Sequence, residues 1–91
     1  MNVKVEQFVS KSSGRAVPNQ FILSIGKDVY FQSYETIIAK KCDNGDVILD
    51  VKDWDYSAIT ARYRNEFLGK TTAQIKTRIK SGEYKLANLN K

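Results

Sequence analysis

Apolar and polar residues alternate through the first part of the chain and recur at helical spacing in the second. VKVEQFV alternates from its first residue, which predicts an N-terminal strand over about Val3–Ser10 with one face turned to a core. SKSSGRAVPN, which follows, is polar, contains Gly14 and ends near Pro18, and so reads as a flexible loop. Gln20–Ile25 and Asp28–Gln32 are both rich in β-branched and aromatic residues, and Gly26 with Lys27 between them fits a tight hairpin. A further strand-like piece covers Tyr34–Lys41. The DNGD after it sets Asn44 and Gly45 where a type I′ turn needs positive φ at both central positions, and VILDVK reads as the strand on its far side.

Past Trp54 the period changes from two to about four. Asp55 or Ser57 is placed to accept hydrogen bonds from the free amides of a helix beginning at Ala58, and Ile59, Tyr63 and Phe67 then share one face. Gly69 ends this helix. Thr71 and Gln74 have the spacing of a capping box, which predicts a second helix over about Thr72–Lys80, with Ile75 and Ile79 on its buried stripe and Gly82 at its end. EYKLANLNK leaves two options: an edge strand through Tyr84, Leu86 and Leu89, or a tail that packs a few apolar side chains. The expected fold is a single α+β domain. A small antiparallel sheet of about four strands in residues 1–56 packs against two short helices in 57–82, and 83–91 form the tail.

Length and composition narrow the chemistry. Ninety-one residues fit one domain, and no apolar run is long enough to span a bilayer. The N-terminal MNVKVEQFVSK lacks the apolar stretch of a secretory leader, so a soluble, cytoplasmic protein is expected. Cys42 is the one cysteine and can form no internal disulfide; with no histidine to activate it, it reads as a half-buried thiol near a turn. The absence of histidine also removes Ser-His-Asp triads, the common zinc sites and a base poised near neutral pH. A non-catalytic protein without cofactor or metal is the expectation.

Charge is distributed unevenly. From Met1 to Tyr56, seven basic residues face eight acidic ones; from Ser57 to Lys91, eight basic residues face only Glu66 and Glu83. The helical half thus carries the whole of the chain's net charge of +5. A field of this kind draws polyanions, which makes nucleic acid, or an acidic protein surface, the natural class of partner. Arg62, Arg64, Lys70, Lys76, Arg78 and Lys80 are the candidate phosphate contacts. Arginine is well suited to the task because its guanidinium binds phosphate bidentately, and Tyr63 stands between two of the arginines, although its place in the Ile59 and Phe67 stripe suits the core better. The bland alternative is a solvated helical face, since lysine forms helices well and keeps its head in water.

Two sharper motifs are partial. Arg62–Lys80 has the length of a helix-turn-helix with a break at Gly69, but Asn65 occupies the position where a small residue is usual, and no third helix is apparent. Asp50 and Lys52 form the Asp-x-Lys of metal-dependent nucleases, and strand alternation puts both side chains on one face; only Asp46 shares that parity as a second ligand, no glutamate helix completes the site, and solvent-facing carboxylates account for the same letters. Trp54 reads as a lid over the junction of sheet and helices.

The combination of YFQSYETIIAK (Tyr30–Lys40), WDYSAITARYRNEFLG (Trp54–Gly69) and IKSGEYKLANLN (Ile79–Asn90) resembles short uncharacterised proteins encoded by bacteriophages and mobile elements of Gram-positive bacteria. The resemblance implies a small accessory protein and transfers no functional residue. Such proteins often bind element DNA or block a host defence protein. The leading expectation is therefore a nucleic-acid-binding protein, followed by a protein interaction module or inhibitor of a host protein, and then a nuclease.

Overall fold

A computed structural model describes residues 3–90. The element order is β1 (Val3–Val9), β2 (Ala16–Ile25), β3 (Asp28–Ser33), β4 (Thr36–Lys41), β5 (Val47–Asp50), α1 (Ala58–Leu68), α2 (Thr72–Ser81) and β6 (Tyr84–Ala87). All six strands lie in one sheet in sequence order. The first five form an antiparallel meander, and β6 pairs parallel to β5 after a crossover through both helices. The α+β class stands, but the sheet is larger than the expected four strands and is mixed. The antiparallel part alone has five strands, and the tail adds a sixth by taking the edge-strand option; its parallel pairing with β5 across a crossover leaves no hairpin signature by which a sequence could reveal the partner.

Local chemistry explains most of the boundaries. The hairpin at Gly26, with φ 63°, joins β2 to β3 as the Gly-Lys pair predicts. Residues 10–19 are only partly a loop, since β2 begins at Ala16 and contains Pro18. The β1–β2 register slips between Gln7 and Val9, so Pro18 falls where the ladder is already broken and its missing N–H leaves no partner stranded. At the next hairpin, Gly45 has φ 94° while Asn44 is not among the residues with positive φ. Cys42 donates to Asp46 O at 2.8 Å and Gly45 donates to Cys42 O at 3.0 Å. The connection is thus a three-residue loop closed by a left-handed glycine in place of the expected two-residue type I′ turn. Asn44 serves it through its side chain, whose Oδ1 accepts from the Asp46 amide at 3.0 Å.

The helices cover one face of the sheet. Phe8 meets Phe31 and Tyr63 edge-on, at 5.5 and 5.6 Å between centroids, and Phe31 stacks on Phe67 at 5.8 Å. A register shift in β4 opposite Phe31 and Gln32 lets two successive residues, Ile38 and Ala39, be fully buried. The buried stripe of α1 is Thr60, Arg64, Phe67 and Leu68, whereas Ile59, expected on that stripe, is 59 % exposed. The helix is turned because Thr60 finds a buried partner, Ser33 Oγ, at 3.0 Å. On α2, Ile75 is fully buried and Ile79 packs at its margin, as the spacing predicts.

Candidate nucleic-acid interface

The geometry of the candidate surface follows from how each helix is held. Ser57 caps α1, its Oγ accepting from the Thr60 amide at 3.1 Å, and Gly69 closes it in the left-handed conformation. Thr71 and Gln74 form the reciprocal capping box that starts α2. Between these ends sits Arg64, whose side chain is completely buried. Its Nη1 donates to Trp54 O at 2.8 Å and to Asp55 Oδ1 at 3.1 Å, and its Nη2 donates to Asn65 Oδ1 at 2.8 Å and to Thr72 Oγ1 at 2.9 Å. The guanidinium also lies over the Trp54 ring, 5.0 Å from its centroid. Arg64 therefore clasps the chain before α1 to the first turn of α2, and its donors are not free for phosphate. Its placement in the phosphate set is corrected on this ground.

Arg78 is also engaged. It is paired with Glu83 and half-buried, with its guanidinium 5.9 Å from the Tyr84 ring. Of the remaining candidates, Arg62, Lys76 and Lys80 are exposed and Lys70 is half-buried. Lys76 and Lys80 stand one turn apart on α2, whereas Arg62 lies against Tyr63 on the other helix, 5.4 Å from its ring.

The structure adds two cations that sequence reasoning left out. Lys41, at the end of β4, projects its Nζ over the Phe67 ring, 4.3 Å from the centroid. Lys11 is brought to the same helix because its backbone N–H donates to Glu66 Oε1 at 2.8 Å, beside the bond from Ser10 Oγ to Glu66 Oε2 at 3.0 Å. Lys70 follows two residues after Leu68, its amide bonded to Asn65 O at 3.1 Å. Burial lowers the pKa of Lys41 below its ordinary value, and the charges of Lys11 and Lys70 lower it further. None of the three forms an ion pair among the described residues. Glu66, the one carboxylate of α1, is occupied by the Ser10 hydroxyl and the Lys11 amide. No sequence signal links these lysines, which lie on three separate elements and meet only through the fold.

The acidic run has a different role from the one its letters suggest. β5 stops at Asp50, so Lys52 lies in the turn beyond and does not share a strand face with it. Asp50 is 1 % exposed and accepts from the amides of Lys52, Asp53 and Leu89 at 3.2, 2.9 and 2.8 Å. Among the described residues no three His, Cys, Asp or Glu side chains gather as a metal site. Among the described residues no helix is long and apolar enough to cross a membrane. Trp54, expected as a lid, packs against the core at the junction of sheet and helices.

The opposite face of the sheet carries no layer. Val5, Leu23, Tyr30, Lys40, Ile48 and Lys85 form one row across all six strands, and every one is partly or fully exposed.

In comparison with known proteins, residues 3–83 match the model of a family described as a family of unknown function, DUF8033. No curated protein and no solved structure matches the chain.

Proposed function

The chain belongs to the DUF8033 family, and from that premise we propose that it is a non-catalytic binder of nucleic acid that grips the phosphate backbone through Lys11, Lys41 and Lys70, with Arg62, Lys76 and Lys80 as outlying contacts. The single observation behind this reading is the desolvated Lys41 ammonium over the Phe67 ring, near enough to Lys11 and Lys70 to be perturbed by their charges, with none of the three in an ion pair among the described residues. Like charges held together, one of them desolvated, raise the energy of the folded protein, and an anion placed among them relieves that cost. A single phosphate or two neighbouring ones would supply it, and a polyanion would extend to the α2 lysines. The resemblance to phage and mobile-element proteins supports reading it as a cytoplasmic binder of element DNA.

Binding of a labelled duplex and a labelled single strand, followed by fluorescence anisotropy over a salt series, tests this reading. On duplex DNA the slope of log K against log salt should lie near −3 or steeper, since each neutralised phosphate contributes about −0.9. Lys41→Met should flatten that slope by about 1 while leaving thermal stability unchanged or slightly raised, because it removes a cation that is unfavourably desolvated in the free protein. Wild-type affinity in a Lys11→Ala/Lys41→Met/Lys70→Ala variant would end the proposal.

A second reading rests on the uncovered sheet face, where Val5, Leu23, Tyr30 and Ile48 share a row with Lys40 and Lys85; this mixed row suits a protein partner and would make the chain an interaction module or an inhibitor of a host protein. It is favoured if DNA binding is absent and a stoichiometric protein partner persists after nuclease treatment.

A further inference from the structure

β1 is one free edge of the sheet: it stands first in the strand order, with β2 its ladder partner. The helices pack over β3 and β6, so Val3–Gln7 are exposed throughout, with Val3 and Val5 each 61 % exposed. Edge strands left this open are normally blunted by proline, by a bulge or by charged side chains, which repel a second copy when they meet their like. Here the register is regular from Val3 to Gln7, the irregularity begins only after Gln7, and the two charges are of opposite sign. Lys4 Nζ and Glu6 Oε1 already lie 3.1 Å apart on the strand, both well exposed.

We propose that β1 pairs antiparallel with β1 of a second copy of this chain, about a two-fold axis that passes between the two Val5 residues perpendicular to the sheet. Residues directly opposite in an antiparallel pair point to the same face, so a two-fold of this kind must be centred on a residue. Centred on Lys4 it sets Lys4 against Lys4, and centred on Glu6 it sets Glu6 against Glu6; both oppose like charges. Centred on Val5 it sets Val5 against Val5, Val3 against Gln7, and Lys4 against Glu6 twice. The regular stretch of β1 thus holds one register in which Val5 meets Val5 and each charge meets its opposite, with the neutral Val3 and Gln7 facing each other at the ends, which is the complementarity an isologous contact requires. The axis leaves both helical layers on the same side of the joined sheet, so the lysine groups of the two copies face one way.

The test uses charge reversal in the full chain. Lys4→Glu carries two glutamates in the pairing stretch and Glu6→Lys carries two lysines, so each variant alone should dimerise about tenfold or more weakly than wild type. An equimolar mixture of the two restores opposite charges at both pairs and should recover a heterodimer near wild-type strength. Sedimentation equilibrium over a concentration series reads both results, and circular dichroism checks that each variant is folded. A wild-type protein that stays monomeric at millimolar concentration overturns the proposal, as do single variants that associate like wild type or a mixture no tighter than its components.

Discussion

A fully buried guanidinium must have its donors met inside the protein, and Arg64 meets them with Trp54 O, Asp55, Asn65 and Thr72. Removing such a group leaves the Asp55 carboxylate and the Trp54 carbonyl short of a partner and a hole beside Trp54, at a cost of about 3–5 kcal/mol. Arg64→Ala should lower the free energy of unfolding by that amount in urea, and Arg64→Lys should recover little of it, since an ammonium cannot span the same four acceptors. Arg62→Ala, two residues away and exposed, should fall within about 0.5 kcal/mol of wild type. The sequence separates these two arginines only through the helical phase. Weighting apolar letters puts Ile59, Tyr63 and Phe67 inward; the true stripe passes through Thr60 and Arg64, polar residues made compatible with burial by Ser33 and the clasp, partners that lie on other elements. Lys41 shows the same limit from the other side, because its partners Phe67, Lys11 and Lys70 are remote in the chain.

At the scale of elements, most of what depended on neighbours in sequence was legible, the exception being the Asn44-Gly45 turn, a hairpin as expected but a three-residue loop in place of a type I′ turn. The Gly26 hairpin, the Ser57 cap, the capping box at Thr71 and the glycine stops at Gly69 and Gly82 all rest on interactions within a few residues. The bulges at Gln7–Val9 and Phe31–Gln32 were not, because each is set by a partner strand, and for the same reason a strand in the tail could be offered only as one of two options, with neither its partner nor its direction. Asp50 joins these two kinds of order. One of its carboxylate oxygens closes the turn after β5 and the other holds the Leu89 amide, while Asn90 reaches across to the backbone of Ile37. Burial alone would raise the pKa of Asp50, but the hydrogen bonds from Leu89, Asp53, Asn90 and Lys52 outweigh it, and the carboxyl lies below its ordinary 3.8. A depressed carboxylate pKa adds stability that is complete above the unfolded value and is lost as pH falls through the folded one. Asp50→Asn should therefore be less stable than wild type at pH 7, and the gap should close as pH drops below 3.8. Urea titrations of both proteins across that range measure it, and a gap independent of pH would place the effect elsewhere.

In the whole molecule, one layer of helices over one face of a sheet leaves stability graded from centre to edge. β3 and β4 lie between paired strands and carry Phe31, Ile38 and Ala39, all fully buried, whereas only Tyr84 of the four residues of β6 is buried. Native-state hydrogen exchange should find the amides of β6 among the first to exchange and those at the centre of β3 and β4 among the last. Equal protection in the two would show that the closing strand is as firmly held as the meander. The order in which the chain is made sharpens the point. On the ribosome the antiparallel meander can pair as it emerges, each strand meeting the one before it, but the strand that covers β5 comes only after both helices. Until Tyr84–Ala87 emerge, the nascent protein presents β5 as an unpaired rim, and that short segment decides whether the rim is sealed within the molecule or left to meet another chain.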